Sequence, residues 1–165
     1  MPAESVTRLA TPVDAPRAAQ LLFDFNTEFD TPTPEPAVIA KRLSHLLAAG
    51  TTLAILGFDA GPSVSAVGIG LVTLRTNVWH DGPVALLDEL YVAPHHRGQG
   101  IGSAMIAALL ERAAADAWSL LEVNVDEFDT DARRFYERHG FANTETGSSE
   151  RALYYWRDLA TTTTS

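Results

Sequence analysis

The stretch LYVAPHHRGQGIG, residues 90–102, decides how this chain reads. An apolar, strand-like start runs into Pro94 and a basic cluster at His95, His96 and Arg97. Glycines then stand at 98, 100 and 102, where a helical pattern is about to begin. Glycine is poor helix material, so something other than helix stability must favour it here. A helix start leaves unpaired N–H groups and a partial positive charge, which together suit a phosphate. Residues without side chains also let the backbone curl its amides closely around phosphate oxygens. The same spacing fits a tight strand-to-helix turn that binds nothing.

Two familiar phosphate motifs are excluded. The P-loop needs Gly-Lys-Ser/Thr, and the chain's only lysine is Lys41. The dinucleotide fingerprint needs a further glycine three residues after the second, but Ser103 follows Gly98-x-Gly100 and Met105 follows Gly100-x-Gly102 at that distance.

Outward from the loop, residues 101–115 predict a helix with Ile101, Met105, Ala108 and Leu109 along one stripe. Upstream, ALLDELYV reads as a strand, preceded by the turn NVWHDGP. TTLAILGF and SAVGIGLVTLRT are strands joined by the turn DAGP. Near the start, residues 5–10 form a short strand, and Asp14 with Pro16 opens a helix carrying Leu21, Leu22 and Phe25. The prolines of TPTPEP interrupt. Val38, Ile39, Leu43, Leu46 and Leu47 then mark a second helix that Gly50 ends. Downstream, SLLEVNVD is a strand and DTDARRFYERHG a helix. FANTET and RALYYWRDL read as a final hairpin. The alternation predicts a mixed α/β domain over residues 1–160, with residues 161–165 as a polar tail. Trp79 and Trp118 read as core or turn aromatics, and Trp156 as packed in the last strand.

Composition narrows the function classes. The 165 residues suit one domain, with 46% hydrophobic and 20% charged residues and a formal charge of −9. Without cysteine there is no disulfide, thiolate metal site or cysteine nucleophile. Five histidines show no metal-ligand spacing, and the acidic run from Asp126 departs from a calcium loop where Arg133 takes a ligand position, so no metal is expected. His95, His96 and Arg97, with Arg133 and Arg134, are the only basic patch set against the acidity, which argues against nucleic acid. Net acidity suits a cationic small substrate as well as plain solubility. The start MPAESVTRLA lacks a signal-peptide pattern and no apolar run is long enough for a bilayer, so no membrane partner and a cytoplasmic location are expected.

The loop resembles the acyl-CoA loop of the GCN5-related N-acetyltransferases, whose Gln/Arg-x-x-Gly-x-Gly/Ala pattern is matched by Arg97, Gly100 and Gly102. LYVAPHH is similar to that family's fourth strand and its exit. Asn124 after the next strand and ARRFYERHGF at residues 132–141 are similar to its later segments. The resemblance implies a mixed, mostly antiparallel central sheet flanked by helices. It also implies direct acetyl transfer from acetyl-CoA to an amine, without a covalent enzyme intermediate. By this resemblance the backbone of Arg97, Gly98, Gln99, Gly100, Ile101 and Gly102 would hold the coenzyme pyrophosphate. The backbone of Leu90, Tyr91 and Val92 would pair with the pantetheine arm, the Val92 amide meeting the thioester oxygen. Asn124 would touch the coenzyme, and Tyr136 would protonate the leaving thiolate.

Glu89 lies two residues from Tyr91, on the same strand face, and is the candidate base; Asp88 points the other way. Glu28 and Asp30 are candidates for binding a cationic amine. The acceptor expected is a small amine, with a protein amine as alternative, and homodimers are frequent in the family. A non-catalytic acyl-CoA-binding or sensing module would use the same loop.

Overall fold

Branched and small apolar residues, punctuated by Gly, Pro and Asp, set the strands of this chain. The computed structural model describes residues 6–61 and 65–159. Ser5 of the first expected strand, Pro62 of the DAGP turn and the 161–165 tail lie outside the described residues. Two compact units divide at Val123 and Asn124, and each is taken by itself.

The larger unit holds a five-stranded sheet in the order β1-β2-β3-β4-β5. The strands are β1 (Val6–Leu9), β2 (Thr52–Phe58), β3 (Gly68–Arg75), β4 (Val84–Val92) and β5 (Leu120–Val123). Neighbours from β1 to β4 pair antiparallel, and β4 pairs with β5 in parallel. Helices α1 (Ala15–Glu28) and α2 (Pro36–Ala49) precede β2, and α3 (Ile101–Ala115) links β4 to β5. This is the mixed α/β arrangement that the order of elements predicts, with the mostly antiparallel sheet that the family resemblance implies.

Strand alternation assigns the two faces. Ala54, Leu56, Ile69 and Tyr91 pack with Ala15, Ala18 and Leu21 of α1 and Leu43 of α2. Gly57, Gly70 and Leu90 belong to the opposite face, against Ile101, Met105 and Leu109 of α3. A Cβ on Gly57 would lie 2.6 Å from Ile101 Cγ2, and one on its cross-strand partner Gly68 would lie 3.0 Å from Met105 Cε. These glycines let the first turns of α3 sit directly on the sheet.

Gly50 closes α2 in the left-handed conformation, as its position predicts. Asp14 differs from expectation. Its carboxylate makes no side-chain cap to α1; it accepts from Thr11 N at 2.8 Å and from both Arg8 terminal nitrogens at 2.9 and 2.7 Å. A 3-10 turn at Pro12–Asp14 comes first, and a carboxylate already held by Arg8 and Thr11 is not available to the helix.

In the smaller unit, α4 (Thr130–Arg138) is capped by Asp129, whose side chain accepts from Ala132 N at 3.0 Å. The expected final hairpin is reduced to one bridge, Thr144 with Arg151. Residues 152–159 form no strand, and Trp156 is 74% exposed, stacked on Tyr154 rather than packed. Apolar alternation favours a strand only where a neighbour supplies the ladder.

The glycine seat under α3 gives a direct test. Gly57→Ala forces a methyl against Ile101, and the protein should lose about 2 kcal/mol of stability in denaturant unfolding.

Candidate active site

Two acidic residues in the middle of a strand interrupt its alternation, and β4 bulges there. Leu71 of β3 pairs with Glu89 but Val72 pairs with Leu87, which leaves Asp88 as the extra residue. Asp88 is exposed and accepts from Thr73 Oγ1 at 2.6 Å. Glu89 stays half-buried on the face shared with Tyr91, as the sequence spacing predicts. There it lines a cavity of about 240 Å³ formed with Leu22 and Asn26 of α1, Thr33 and Pro34 of the following loop, α2, and Leu71 of β3.

Glu89 has no hydrogen-bonding or cationic partner among the described residues. Burial first, and the neighbouring Asp88 charge second, push its pKa up to about 7. A carboxyl poised near neutrality can take and release a proton under ordinary conditions.

Beyond the bulge β4 loses a neighbour. Its parallel pairing with β5 stops at Leu87 opposite Val123. The Ala93 N–H bonds Val67 O at 2.8 Å, so by alternation the Val92 N–H faces the other, open edge. A 3-10 turn at Pro94–His96 follows, and the Arg97 N–H is used within it, donating to Pro94 O at 3.3 Å. From Gly98 to Ser103 no amide has a backbone acceptor among the described residues; Ala104 N to Gly100 O, 2.9 Å, is the first bond of α3. Gly98 (φ 74°) and Gly100 (φ 84°) are left-handed, a conformation costly to any residue with a Cβ. Nothing lies within 4 Å of where either Cβ would stand. Gly102 sits inside the first turn of α3.

The Arg97 side chain turns back to the sheet. Its Nε donates to Val92 O at 2.8 Å, and its two terminal nitrogens donate to the two Glu28 oxygens at 2.7 Å each. The guanidinium also stands 5.6 Å over the Tyr91 ring. This pairing holds the Glu28 carboxyl below its usual range, while burial foremost, with the Glu28 and Asp24 charges, raises the Tyr91 phenol. The expected acceptor-binding Glu28 is therefore engaged with the loop. Asp30, left-handed and exposed after α1, is not among the residues lining the cavity. His96 Nδ1 lies 3.2 Å from Asp59 Oδ2, so a carboxylate faces each of two members of the basic cluster.

Asn124 and Tyr136 belong to the smaller unit. Asn124 is exposed. Tyr136 is half-buried, edge-on to Phe135 at 5.3 Å and to Phe141 at 5.5 Å. Sequence reasoning missed three polar cavity residues, Asn26, Thr33 and Arg42. Helical periodicity marks the apolar stripe of α1 and α2 but not which polar neighbour overhangs a space.

The elements, the loop and the open strand edge match a known class. Residues 19–141 match the acetyltransferase (GNAT) family, and the chain belongs to it. The crystal structure of a provisionally assigned acetyltransferase from Arthrobacter sp. FB24 is 50% identical, with a TM-score of 0.84, covering 93% of this chain and 96% of that one. The thialysine N-epsilon-acetyltransferase of Bos taurus is 36% identical over 84 residues, 51% of this chain and 48% of that protein. Aminoglycoside N(6')-acetyltransferase type 1 of Serratia marcescens is 28% identical over 130 residues, 78% of this chain and 85% of that protein. The chain spans about half the length of the first two curated relatives it matches. Among the described residues no helix is long and apolar enough to cross a membrane.

The Glu89 environment has a thermodynamic signature. Its folded pKa exceeds that of a free glutamate, so the stability contributed by the protonated carboxyl is complete below about pH 4.5 and is lost as pH rises through about 7. Glu89→Gln should therefore melt above the wild type at pH 8 to 9 and close to it near pH 5, by scanning calorimetry. An equal shift at both pH values would contradict this.

Proposed function

We propose that this protein transfers an acetyl group from acetyl-CoA directly to the amine of a small acceptor held in the cavity beside Glu89. The observation that carries this reading is the Glu89 carboxyl, which lines a cavity without a hydrogen-bonding or cationic partner among the described residues, on an inner strand whose pairing with β5 stops at Leu87. Two of the relatives above act, by their names, on thialysine and on aminoglycosides, which supports a small amine. The chain's acidity favours encounter with a cationic one.

The coenzyme contacts follow from the open backbone. Amides of residues 98–103, at the positive end of α3, receive the pyrophosphate. The free edge at Leu90, Tyr91 and Val92 accepts the pantetheine arm as an added strand. Acetyl-CoA, when bound, supplies a thioester carbonyl carbon for the amine to attack. The Val92 amide donates to the thioester oxygen as negative charge gathers there. Glu89 takes the proton that the attacking nitrogen must lose, directly or through water. Tyr136, by the motif it matches, returns a proton to the sulfur as the C–S bond breaks and the C–N bond is complete. Asn124 contacts the coenzyme.

The test is thiol release from acetyl-CoA in the presence of an amine panel. With an acceptor whose own amine titrates well above pH 8, kcat/KM should rise through an apparent pKa of about 7. Glu89→Gln should remove that limb and lower kcat by about a hundredfold or more. Acetyl-CoA binding in a calorimeter without thiol release from any amine would favour a sensing module and overturn this reading. Tyr136→Phe should lower kcat roughly a hundredfold while leaving acetyl-CoA affinity within about twofold of wild type.

A further inference from the structure

The charge of the whole chain and the charge of the cavity point to different acceptors. The chain carries −9, yet the cavity is lined by a single acid, Glu89, and a single base, Arg42 of α2. The acids that could have held further ammonium groups are engaged elsewhere. Glu28 is clasped by Arg97, Asp24 accepts from Gln20 Nε2 at 2.8 Å, and Asp88, the extra residue of the bulge, accepts from Thr73. Arg42 is exposed and makes no hydrogen bond or ion pair among the described residues. Leu22, Pro34, Ile39, Leu43, Leu46 and Leu71 supply its apolar wall, and Asn26 and Thr33 its neutral polar groups. A polycation entering it would meet one carboxyl group, a largely apolar wall and the Arg42 guanidinium.

From this arrangement we infer that the acceptor is an amine on an apolar body that also bears one carboxylate, an amino acid rather than a polyamine or an aminoglycoside. The amine is received at Glu89, the hydrocarbon lies against the leucines and Ile39, and the Arg42 fork takes the carboxylate. A guanidinium offers paired donors matched to a carboxylate, and such charge-assisted pairs are the stronger class of hydrogen bond. Asn26 and Thr33, whose side chains make no hydrogen bond among the described residues, add donors and acceptors on the α1 side. The inference rests on the cavity being the acceptor site of the proposed transfer.

Matched amines separate this inference from that reading. The probes are leucine with isoamylamine, phenylalanine with phenethylamine, and γ-aminobutyrate with propylamine, each pair differing by the carboxylate, with putrescine and cadaverine as dications. Thiol release is measured with each for the wild type, Arg42→Ala and Arg42→Glu. In at least one pair the carboxylate member should show about tenfold higher kcat/KM in the wild type. Arg42→Ala should abolish that ratio chiefly through KM, and Arg42→Glu should turn the preference toward the diamines. Because Arg42 is exposed and contacts nothing charged, both variants should keep the wild-type melting temperature, which is checked alongside. Diamines or decarboxylated amines used as well as or better than the amino acids by the wild type would overturn the inference and leave acetyl transfer standing. A carboxylate preference that survives Arg42→Ala would likewise overturn it. Acetyl-CoA binding with no thiol release from any amine would overturn both.

Discussion

Strand β4 keeps a neighbour along its whole length on one side and loses its neighbour half-way along on the other. It pairs with β3 from Val84 to Val92, but its parallel pairing with β5 ends at Leu87. Backbone N–H and C=O groups past that point still need partners. One is supplied from within, as Arg97 Nε donates to Val92 O. The Val92 N–H on the same edge is left to water or to a ligand. The open edge, the bulge at Asp88 and the glycine loop are consecutive features of this strand and its exit. One edge of β4 thus keeps unpaired backbone groups while one of its faces lines the cavity.

The loop holds its position by two different kinds of contact. Behind it, Gly57 and Gly68 bring α3 so close to the sheet that Ile101 and Met105 occupy the space two side chains would have taken. Beside it, the Arg97 fork locks onto Glu28 at the end of α1. The first contact is steric and close to rigid, since packed interiors yield little. The second lies near the surface, and ion pairs of that kind contribute on the order of 1 kcal/mol even with bidentate geometry. Packing therefore sets where α3 begins, and the ion pair sets how the residues before it leave the strand. The same pair occupies Glu28, and Glu89 is the one carboxylate among the residues lining the cavity.

Most of the fold was legible in the sequence because its signals are local. Periodicity gave α1, α2 and α3, Gly50 ended a helix, and the face shared by Glu89 and Tyr91 followed from strand alternation. The glycine loop was legible as a phosphate seat or a tight turn, and with Asn124 and residues 132–141 as a match to the family to which the chain belongs. Other features had no local signal. The bulge at Asp88 exists only relative to the register of β3. Asp14 has the composition of a helix cap and instead serves Arg8 and Thr11. The alternating aromatics after Arg151 have the composition of a strand, but among the described residues that stretch has only the Thr144 bridge.

What the sequence by itself determined is the glycine spacing of the loop and its place between a strand and a helix. Those properties belong to a few consecutive residues and survive in any correct fold. What only the tertiary structure decided is the lining of the cavity beside Glu89. Arg42, Asn26 and Thr33 line the same space as Glu89 because two helices and a bulged strand converge there, while Glu28 is paired with Arg97. Burial and partnership are relations between distant residues, and it is burial that lifts the Glu89 carboxyl to about 7.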